Sequence, residues 1–311
     1  MLLQDLDMLF FRNKKNEFIK LDKKIRKMFK ISSTIISLIL FKSIVFAQLS
    51  EFSQGDVLSA GLMNQNFKYL EDRFGGLNEK TIDCGTSGAG FGINAAIKDG
   101  YNSIIVKGLC KENINWDSRE GERGYLKLKG YSNDQTSDKI IDNSSTSKSV
   151  ISLQNSYLKI DNLTISGGTR GIHVSGNSLL WADNVTVENY TQRGISVTNS
   201  SVGWLGSVTV DGTKQSSSDE RGIWFVNSDG YISGTTIVKG NSSSNGAINS
   251  SDNSRVWISG TANLDSNKAS LVVQNGGKMG MSSSTQTTIT NSTEYGIKAY
   301  FGEIWNYGTI T

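Results

Sequence analysis

One repeated pattern in the second half of the chain restricts the fold more than any other feature. A polar or basic residue, then Gly (Ser or Ala in two copies), then Ile or a smaller residue begins each copy, and an alternating apolar segment follows. The copies begin at Lys148, Arg170, Arg193, Arg221, Asn245, Lys268 and Tyr295. These starts are 22, 23, 28, 24, 23 and 27 residues apart. Such self-similarity predicts a solenoid, in which each repeat packs against its neighbours.

Each repeat divides into three short segments whose apolar residues are mostly β-branched and alternate with period two, as in Val185-Thr186-Val187. That period indicates strands, and the Leu-x-x-Leu-x-Leu frame of leucine-rich repeats is missing. Three strands per coil predict a parallel β-helix whose coils stack about 4.8 Å apart. The pattern weakens over 245–290, where we expect Ala247 and Ser270 to occupy the place of the first inward Ile.

The segments Thr81–Cys84, Phe91–Ile97 and Ser103–Ile114 carry a resemblance to a known family, as do the pairs Asp161-Asn162 and Asp183-Asn184. Together with the repeats, they resemble the right-handed parallel β-helix (pectin-lyase-like) superfamily, of the exported bacterial type. The resemblance covers about 80–311. It implies an all-β, right-handed, single-stranded parallel β-helix with a short N-terminal helical segment and Asn-bearing tight turns. This fold hosts many functions, so it does not by itself indicate an activity.

The N-terminal region divides into three further parts. Residues 28–47 combine Lys30, an apolar run and Val45-Phe46-Ala47, which predicts a signal peptide cleaved after Ala47. The alternative is a membrane anchor, but Ile31–Phe46 has 16 residues, includes Lys42 and falls short of the ~20 needed to span. Residues 1–27 are then either a basic N-terminal extension of the signal peptide or the result of a start codon assigned too far upstream. We expect the mature chain to be secreted, extracellular or periplasmic, with no membrane contact.

Residues 48–79 form a predicted helical leader before the β-helix, which is assigned to 80–311. Its apolar residues follow a heptad seam at Met63, Phe67, Leu70 and Phe74. The leader is either a short oligomerising helix, which would make a homo-oligomer, or a cap lying on the β-helix. At the other end the sequence stops at Gly308–Thr311 in mid-coil, and an open parallel edge of that kind invites pairing with another chain.

The only two cysteines, Cys84 and Cys110, predict a disulfide if the chain is exported; the alternative is two buried thiols. The net charge of +3 comes from the N-terminal part. Residues 1–47 hold ten Lys/Arg and four acids, so 48–311 hold 32 − 10 = 22 bases and 29 − 4 = 25 acids. This mildly acidic body excludes a nucleic-acid function, which needs a basic one.

The enzymes of the superfamily that this chain resembles cleave acidic polysaccharides with clusters of Asp residues, often with calcium. Their signature motifs are missing from this sequence. The local candidates for such chemistry are carboxylates and cations around the longest insertion. They are Asp211, Asp219, Glu220, Arg193 and Arg221. Two or three carboxylates beside a cation can act as acid, base or Ca²⁺ ligands. Such runs of charged residues are more often solvated turns. Apart from Ca²⁺ under the enzyme alternative, we expect no cofactor.

Two columns of outward residues arise because stacked coils align matching positions. The first consists of Trp181, Trp204, Tyr231, Trp257 and Trp305, and the second of Arg170, Arg193 and Arg221. Exposed aromatic residues in an array mark a contact surface. We expect an exported, non-catalytic binding or structural protein whose aromatic column contacts a polysaccharide, a cell-surface glycan or a partner protein. The arginine column is the second candidate contact surface, since a polyanionic glycan could satisfy its cations. The alternative is a polysaccharide lyase or glycoside hydrolase acting on an acidic glycan.

Overall fold

The computed structural model describes residues 76–85, 90–117, 124–132, 134, 136–143, 148–213 and 220–311. The predicted extension, signal peptide and most of the leader lie outside these residues and stay predictions. The described part contains one short helix, α1, at Ile93–Lys98. Its strands β1 to β25 are, in chain order, Glu79–Asp83, Ser103–Lys107, Leu109–Lys111, Ile114–Asp117, Tyr125–Gly130, Lys139–Ile141, Ser149–Gln154, Tyr157–Ser166, Arg170–Ser175, Leu179–Glu188, Arg193–Thr198, Val202–Leu205, Val208–Asp211, Arg221–Val226, Asp229–Ile232, Thr235–Lys239, Ile248–Ser251, Arg255–Ile258, Thr261–Asp265, Ala269–Gln274, Lys278–Met281, Gln286–Thr290, Tyr295–Tyr300, Glu303–Asn306 and Thr309–Ile310.

The strands stack in three parallel columns. The first column is an eight-stranded sheet made of β4, β7, β9, β11, β14, β17, β20 and β23. The second column contains β1, β2, β5, β12, β15, β18, β21 and β24, and the third contains β3, β6, β13, β16, β19, β22 and β25. The long strands β8 and β10 contribute one half to each of these two columns and so join them in a single 17-stranded sheet. The protein is therefore an all-β parallel β-solenoid, as predicted, and it has about eight turns.

The core of the solenoid is built from the residues that alternate inward along each strand. Ile172, Ile195 and Ile223 pair in register down the first column, and each is fully buried. Burying a side chain of this size contributes roughly 1.5–3 kcal/mol. Because every coil repeats the contribution, the apolar stack continues through the solenoid.

The register of two coils corrects the sequence-based alignment. Ile223 pairs with Ile248, and Ile248 pairs with Leu271, so these residues, and not Ala247 and Ser270, continue the inward Ile position. The expected weakness over 245–290 was therefore wrong, since it came from an alignment shifted by one residue. Side chains alternate between the two faces of a strand, so a one-residue shift exchanges every inward and outward assignment.

The Gly of the repeated motif has a steric cause. A Cβ atom at Gly171, Gly194 or Gly222 would lie 2.2, 2.4 and 2.4 Å from the Cγ1 atom of Val187, Val210 and Val238, respectively. Each of these valines belongs to the third strand of the same coil. A residue with a side chain would overlap the core there, so the close approach of the first and third columns requires Gly.

The tight turns use Asn in the left-handed backbone region, as the resemblance implied. Asn162 and Asn184 have φ of 52° and 50° at the bend between the second and third columns. Asn adopts this conformation at lower cost than most residues. The bend between the first and second columns follows the same rule at Asn155, Asn177, Asn199, Asn227 and Asn275. On the last coil Phe301 occupies that bend, with φ of 53°.

Cys84 and Cys110 form the predicted disulfide at the start of the solenoid. Structural disulfides persist outside the reducing cytosol, so the bond fits a non-cytoplasmic location. Next to it, the buried carboxylate of Glu112 accepts hydrogen bonds from the backbone N–H groups of Gly92, Ile93 and Asn94 at the start of α1. No helix within the described ranges is long and apolar enough to cross a membrane.

Candidate functional site

One row of residues lies in register on the outer face of the second column. Its members are Lys159, Trp181, Trp204, Tyr231, Trp257, Gly280 and Trp305, one from each successive strand. We call its five aromatic residues the aromatic ladder. The residues that flank Trp204, Gly203 and Leu205, are buried in the core, so the indole is directed outward. The sequence-based alignment of this column therefore agrees with the strand pairing.

The first three rings of the aromatic ladder contact each other. The ring centroids of Trp181 and Trp204 are 6.2 Å apart, and those of Trp204 and Tyr231 are 4.6 Å apart with an interplanar angle of 26°. Trp181 is only 9% exposed and belongs to a small cluster with Tyr125 on the outer face. Because stacked rings cover one another's faces, this part of the ladder offers mainly ring edges to solvent.

Burial raises the pKa of the Tyr231 phenol well above its ordinary value, and the nearby carboxylate of Asp229 acts in the same direction. Tyr231 therefore stays neutral at physiological pH and keeps its hydroxyl proton.

The last two rings have a different environment. Among the described residues, neither Trp257 nor Trp305 makes a ring contact with another aromatic side chain. The benzo edge of Trp257 lies over Gly280, and a Cβ at Gly280 would be 2.1 Å from its Cε3 and Cζ3 atoms. Trp305 is 43% exposed, with the Nζ atom of Lys278 at 5.3 Å from its ring centroid. These two indoles are thus free of ring stacking within the part of the chain that the structure describes.

A row of charged residues borders the ladder two positions earlier on the same strands. Asp229 pairs in register with Arg255, Arg255 with Lys278, and Lys278 with Glu303. The Nε and Nη2 atoms of Arg255 each donate to a carboxylate oxygen of Asp229 at 2.9 Å, and Lys278 Nζ lies 3.4 Å from Glu303. We call these four residues the polar rim. Its two cations and two anions are matched, so its net charge is zero.

The arginine column lies on the first column of strands. Arg170, Arg193 and Arg221 pair in register, as predicted, but Ser149 pairs with Arg170 and Ala269 with Tyr295, so Lys148 and Lys268 lie one position outside it. The Cζ atoms of Arg193 and Arg221 lie 4.0 and 4.2 Å from the ring centroid of Trp224.

Sequence reasoning missed Trp224. The sequence feature that could have identified it is its outward position three residues after Arg221, which matches the position of His173 three residues after Arg170.

His173 is the single histidine of the chain, and it lies beside the arginine column. Its Nδ1 atom is 3.0 Å from the hydroxyl of Ser196. Burial lowers the pKa of His173 to about 4, and the charges of Arg170 and Arg193 add to the effect. Near neutral pH the imidazole is therefore uncharged. The side chain faces outward, but it is partly buried.

The acidic candidates have structural partners. Glu220 is fully buried and accepts hydrogen bonds from the backbone N–H and the hydroxyl of Ser242. Asp211 accepts from Thr213 and forms an ion pair with Lys239 at 3.1 Å. Partial burial acts to raise the pKa of Asp211, but the hydrogen bonds from Thr213 and Lys239 outweigh it and hold the pKa below its ordinary value.

Asp219 lies outside the described residues. Within the described ranges, no group of three or more His, Cys, Asp or Glu side chains is placed to hold a metal ion.

The fold and this outer face define a class, a parallel β-solenoid with an in-register aromatic ladder. Comparison of the chain with protein-family models, with curated proteins and with solved structures finds no match. The function must therefore be argued from the geometry of the site.

Proposed function

We propose that this protein is an exported, non-catalytic β-helix that binds carbohydrate through its aromatic ladder. The observation that carries the proposal is the in-register outward column from Trp181 to Trp305 on one face of the solenoid. Large aromatic side chains on a solvent-facing sheet mark a contact surface. Flat, amphipathic rings match the apolar faces of sugar rings.

The polar rim supports the same function. Carbohydrate sites combine aromatic area with a few polar groups that fix the orientation of the hydroxyls. The rim places carboxylate, guanidinium and ammonium groups two residues away from the rings along each strand. Each of these groups can exchange hydrogen bonds with a sugar hydroxyl while its ion pair is kept.

We prefer a binding function to a catalytic one because Glu220 and Asp211, the acidic candidates that the structure describes, are held by other residues. A general acid or base must reach the proton that it transfers, and the carboxylate of Glu220 is fully buried against Ser242. Asp211 is engaged by Thr213 and Lys239. Neither arrangement favours the lyase or hydrolase alternative.

We also propose the finer fold assignment, a right-handed β-helix of the pectin-lyase-like type. Parallel strands joined by crossover connections are right-handed in nearly all proteins. The Cys84–Cys110 disulfide supports export, as expected for a chain with a signal peptide at 28–47.

Affinity gel electrophoresis through immobilised polysaccharides tests the proposal. The double variant Trp204→Ala with Trp257→Ala should lose retention by about 5- to 150-fold, since each ring contributes roughly 0.5–1.5 kcal/mol beyond its buried area. Trp224→Ala is the matched control, because it removes an outward tryptophan from the first column instead of the second. Equal retention of the double variant and the wild type, with both folded by circular dichroism, would refute carbohydrate binding by the ladder.

A further inference from the structure

We propose that the ligand is an uncharged polysaccharide and that it binds at the end of the ladder formed by Trp257, Gly280 and Trp305. This inference rests on the proposed function and narrows it in two ways. It selects one part of the ladder, and it selects the charge class of the sugar.

The choice of position follows from which ring faces are open to a ligand. A sugar packs its C–H groups on the face of an aromatic ring. The faces of Trp204 and Tyr231 are engaged with each other at a centroid distance of 4.6 Å, and Trp181 is buried. Trp257 and Trp305 have no aromatic stacking partner among the described residues, and Trp305 is the most exposed ring of the ladder. At the end of the ladder, therefore, no other aromatic side chain covers the ring faces, although Gly280 lies against Trp257 and Lys278 lies over Trp305. The first part offers mainly edges.

Gly280 separates these two indoles in the column. Trp257 and Trp305 pair with Gly280 from either side, so they are two strand spacings apart, about 9.5 Å. The indole of Trp257 extends into the space above Gly280 that a side chain would fill. The missing side chain thus sets the orientation of the Trp257 ring. Any residue larger than Gly at this position would displace that ring without removing it.

The charge class follows from the polar rim. Arg255 is held by Asp229 through two hydrogen bonds of 2.9 Å, and Lys278 is paired with Glu303 at 3.4 Å. A polyanionic sugar would have to displace these carboxylates from their cations and would be repelled by them. An uncharged sugar needs only hydrogen bonds, which the rim can exchange while both ion pairs stay closed. A matched, neutral rim therefore selects uncharged chains.

The experiment compares uncharged and anionic polymers in affinity gel electrophoresis of the full protein. The uncharged probes are hydroxyethyl cellulose, galactomannan and dextran, and the anionic probes are polygalacturonate and alginate. Trp257→Ala and Trp305→Ala should each weaken retention by at least one uncharged probe about tenfold. Trp204→Ala should weaken it by only about twofold, the lower end of a ring's contribution. Gly280→Ala should weaken it severalfold although every tryptophan is still present.

Two controls keep these results interpretable. Trp257→Phe keeps an aromatic ring in place and should retain part of the binding, even if Trp257→Ala lowers stability. Circular dichroism and the melting temperature identify any variant that fails to fold, and such a variant is replaced by the Phe substitution at the same position.

The outcomes separate the inference from the proposed function. Retention by an uncharged probe that depends on Trp257, Trp305 and Gly280 supports both. Retention by the anionic probes alone, lost in the ladder variants, overturns the uncharged ligand and leaves carbohydrate binding standing. An equal loss in Trp204→Ala overturns the position. If none of the probes retains the wild type, both the inference and the proposed function fail for these polymers.

Discussion

Replacing Glu112 with Ala should destabilise the start of the solenoid more than any surface change. Glu112 is only 6% exposed. Its carboxylate accepts hydrogen bonds from the backbone N–H groups of Gly92, Ile93 and Asn94, the last two at 2.8 and 2.9 Å. It also accepts one from the side-chain Nδ2 of Asn94 at 2.8 Å. These are the first N–H groups of α1, which have no partners inside the helix. Glu112 is therefore the cap that allows this helix to begin.

The magnitude follows from the groups that the substitution leaves unpaired. A buried donor without an acceptor costs about 1–3 kcal/mol. The backbone N–H groups of Ile93 and Asn94 would both lose their acceptor, which amounts to about 2–6 kcal/mol. Water can enter the space only partly, because the Glu112 side chain is buried. We expect a loss of about 4 kcal/mol in the free energy of unfolding.

Urea unfolding followed by far-ultraviolet circular dichroism measures this loss as the change in midpoint times the slope. Hydrogen exchange should also show the amides of 92–98 exchanging faster than in the wild type. The control is Glu303→Ala, an exposed glutamate whose ion pair with Lys278 is worth less than about 1 kcal/mol. A loss at Glu112 no larger than that at Glu303 would refute the capping argument.

Three further perturbations follow from the same structure. Gly194→Ala should lower the free energy of unfolding by about 1–3 kcal/mol, because the new methyl group overpacks against Val210. In urea unfolding, adding Val210→Ala should restore part of this loss; if the effects of the two substitutions simply add, the steric explanation is contradicted. Phe301→Asn should raise the melting temperature, because Phe301 is 76% exposed at φ 53° and a left-handed backbone costs most residues about 1–2 kcal/mol; an unchanged or lower value would contradict it. Between pH 6.5 and about 4 the unfolded chain binds a proton at His173 and the folded protein does not, so the free energy of unfolding should fall as the pH falls through this window. The wild type minus His173→Gln difference in unfolding free energy should therefore shrink by up to about 3 kcal/mol across that window, and a pH-independent difference would exclude the linkage.

The fold was predictable because its information is local and repeated. Period-two alternation in Val185-Thr186-Val187 indicates strands, and the recurrence of Arg-Gly-Ile sets the coil length. Matching positions then align automatically, which is why the column from Trp181 to Trp305 was placed in register from the sequence. The predicted register was wrong at Ala247 and Ser270, because adjacent small residues leave the register undetermined by the sequence pattern alone.

The surroundings of the site residues were less predictable, since each depends on side chains one coil away. Trp204 and Tyr231 are similar in sequence context to Trp257, yet the first two stack and Trp257 extends over Gly280. Glu220 was expected in an accessible acidic cluster, but Ser242 of the next coil encloses it. Glu112 belonged to a segment with a family resemblance, but its contact with α1 appears only in three dimensions.

The sequence by itself determined the strand type, the coil length, the disulfide partners and the outward column of aromatic residues, because each of these follows from spacing along one strand or from a single pair of cysteines. Only the tertiary structure decided which rings keep an open face, which charges are matched and which acids are buried. Those properties depend on contacts between residues about 22–28 positions apart, one coil above or below. The face of an indole is open or closed according to what the neighbouring coil places against it.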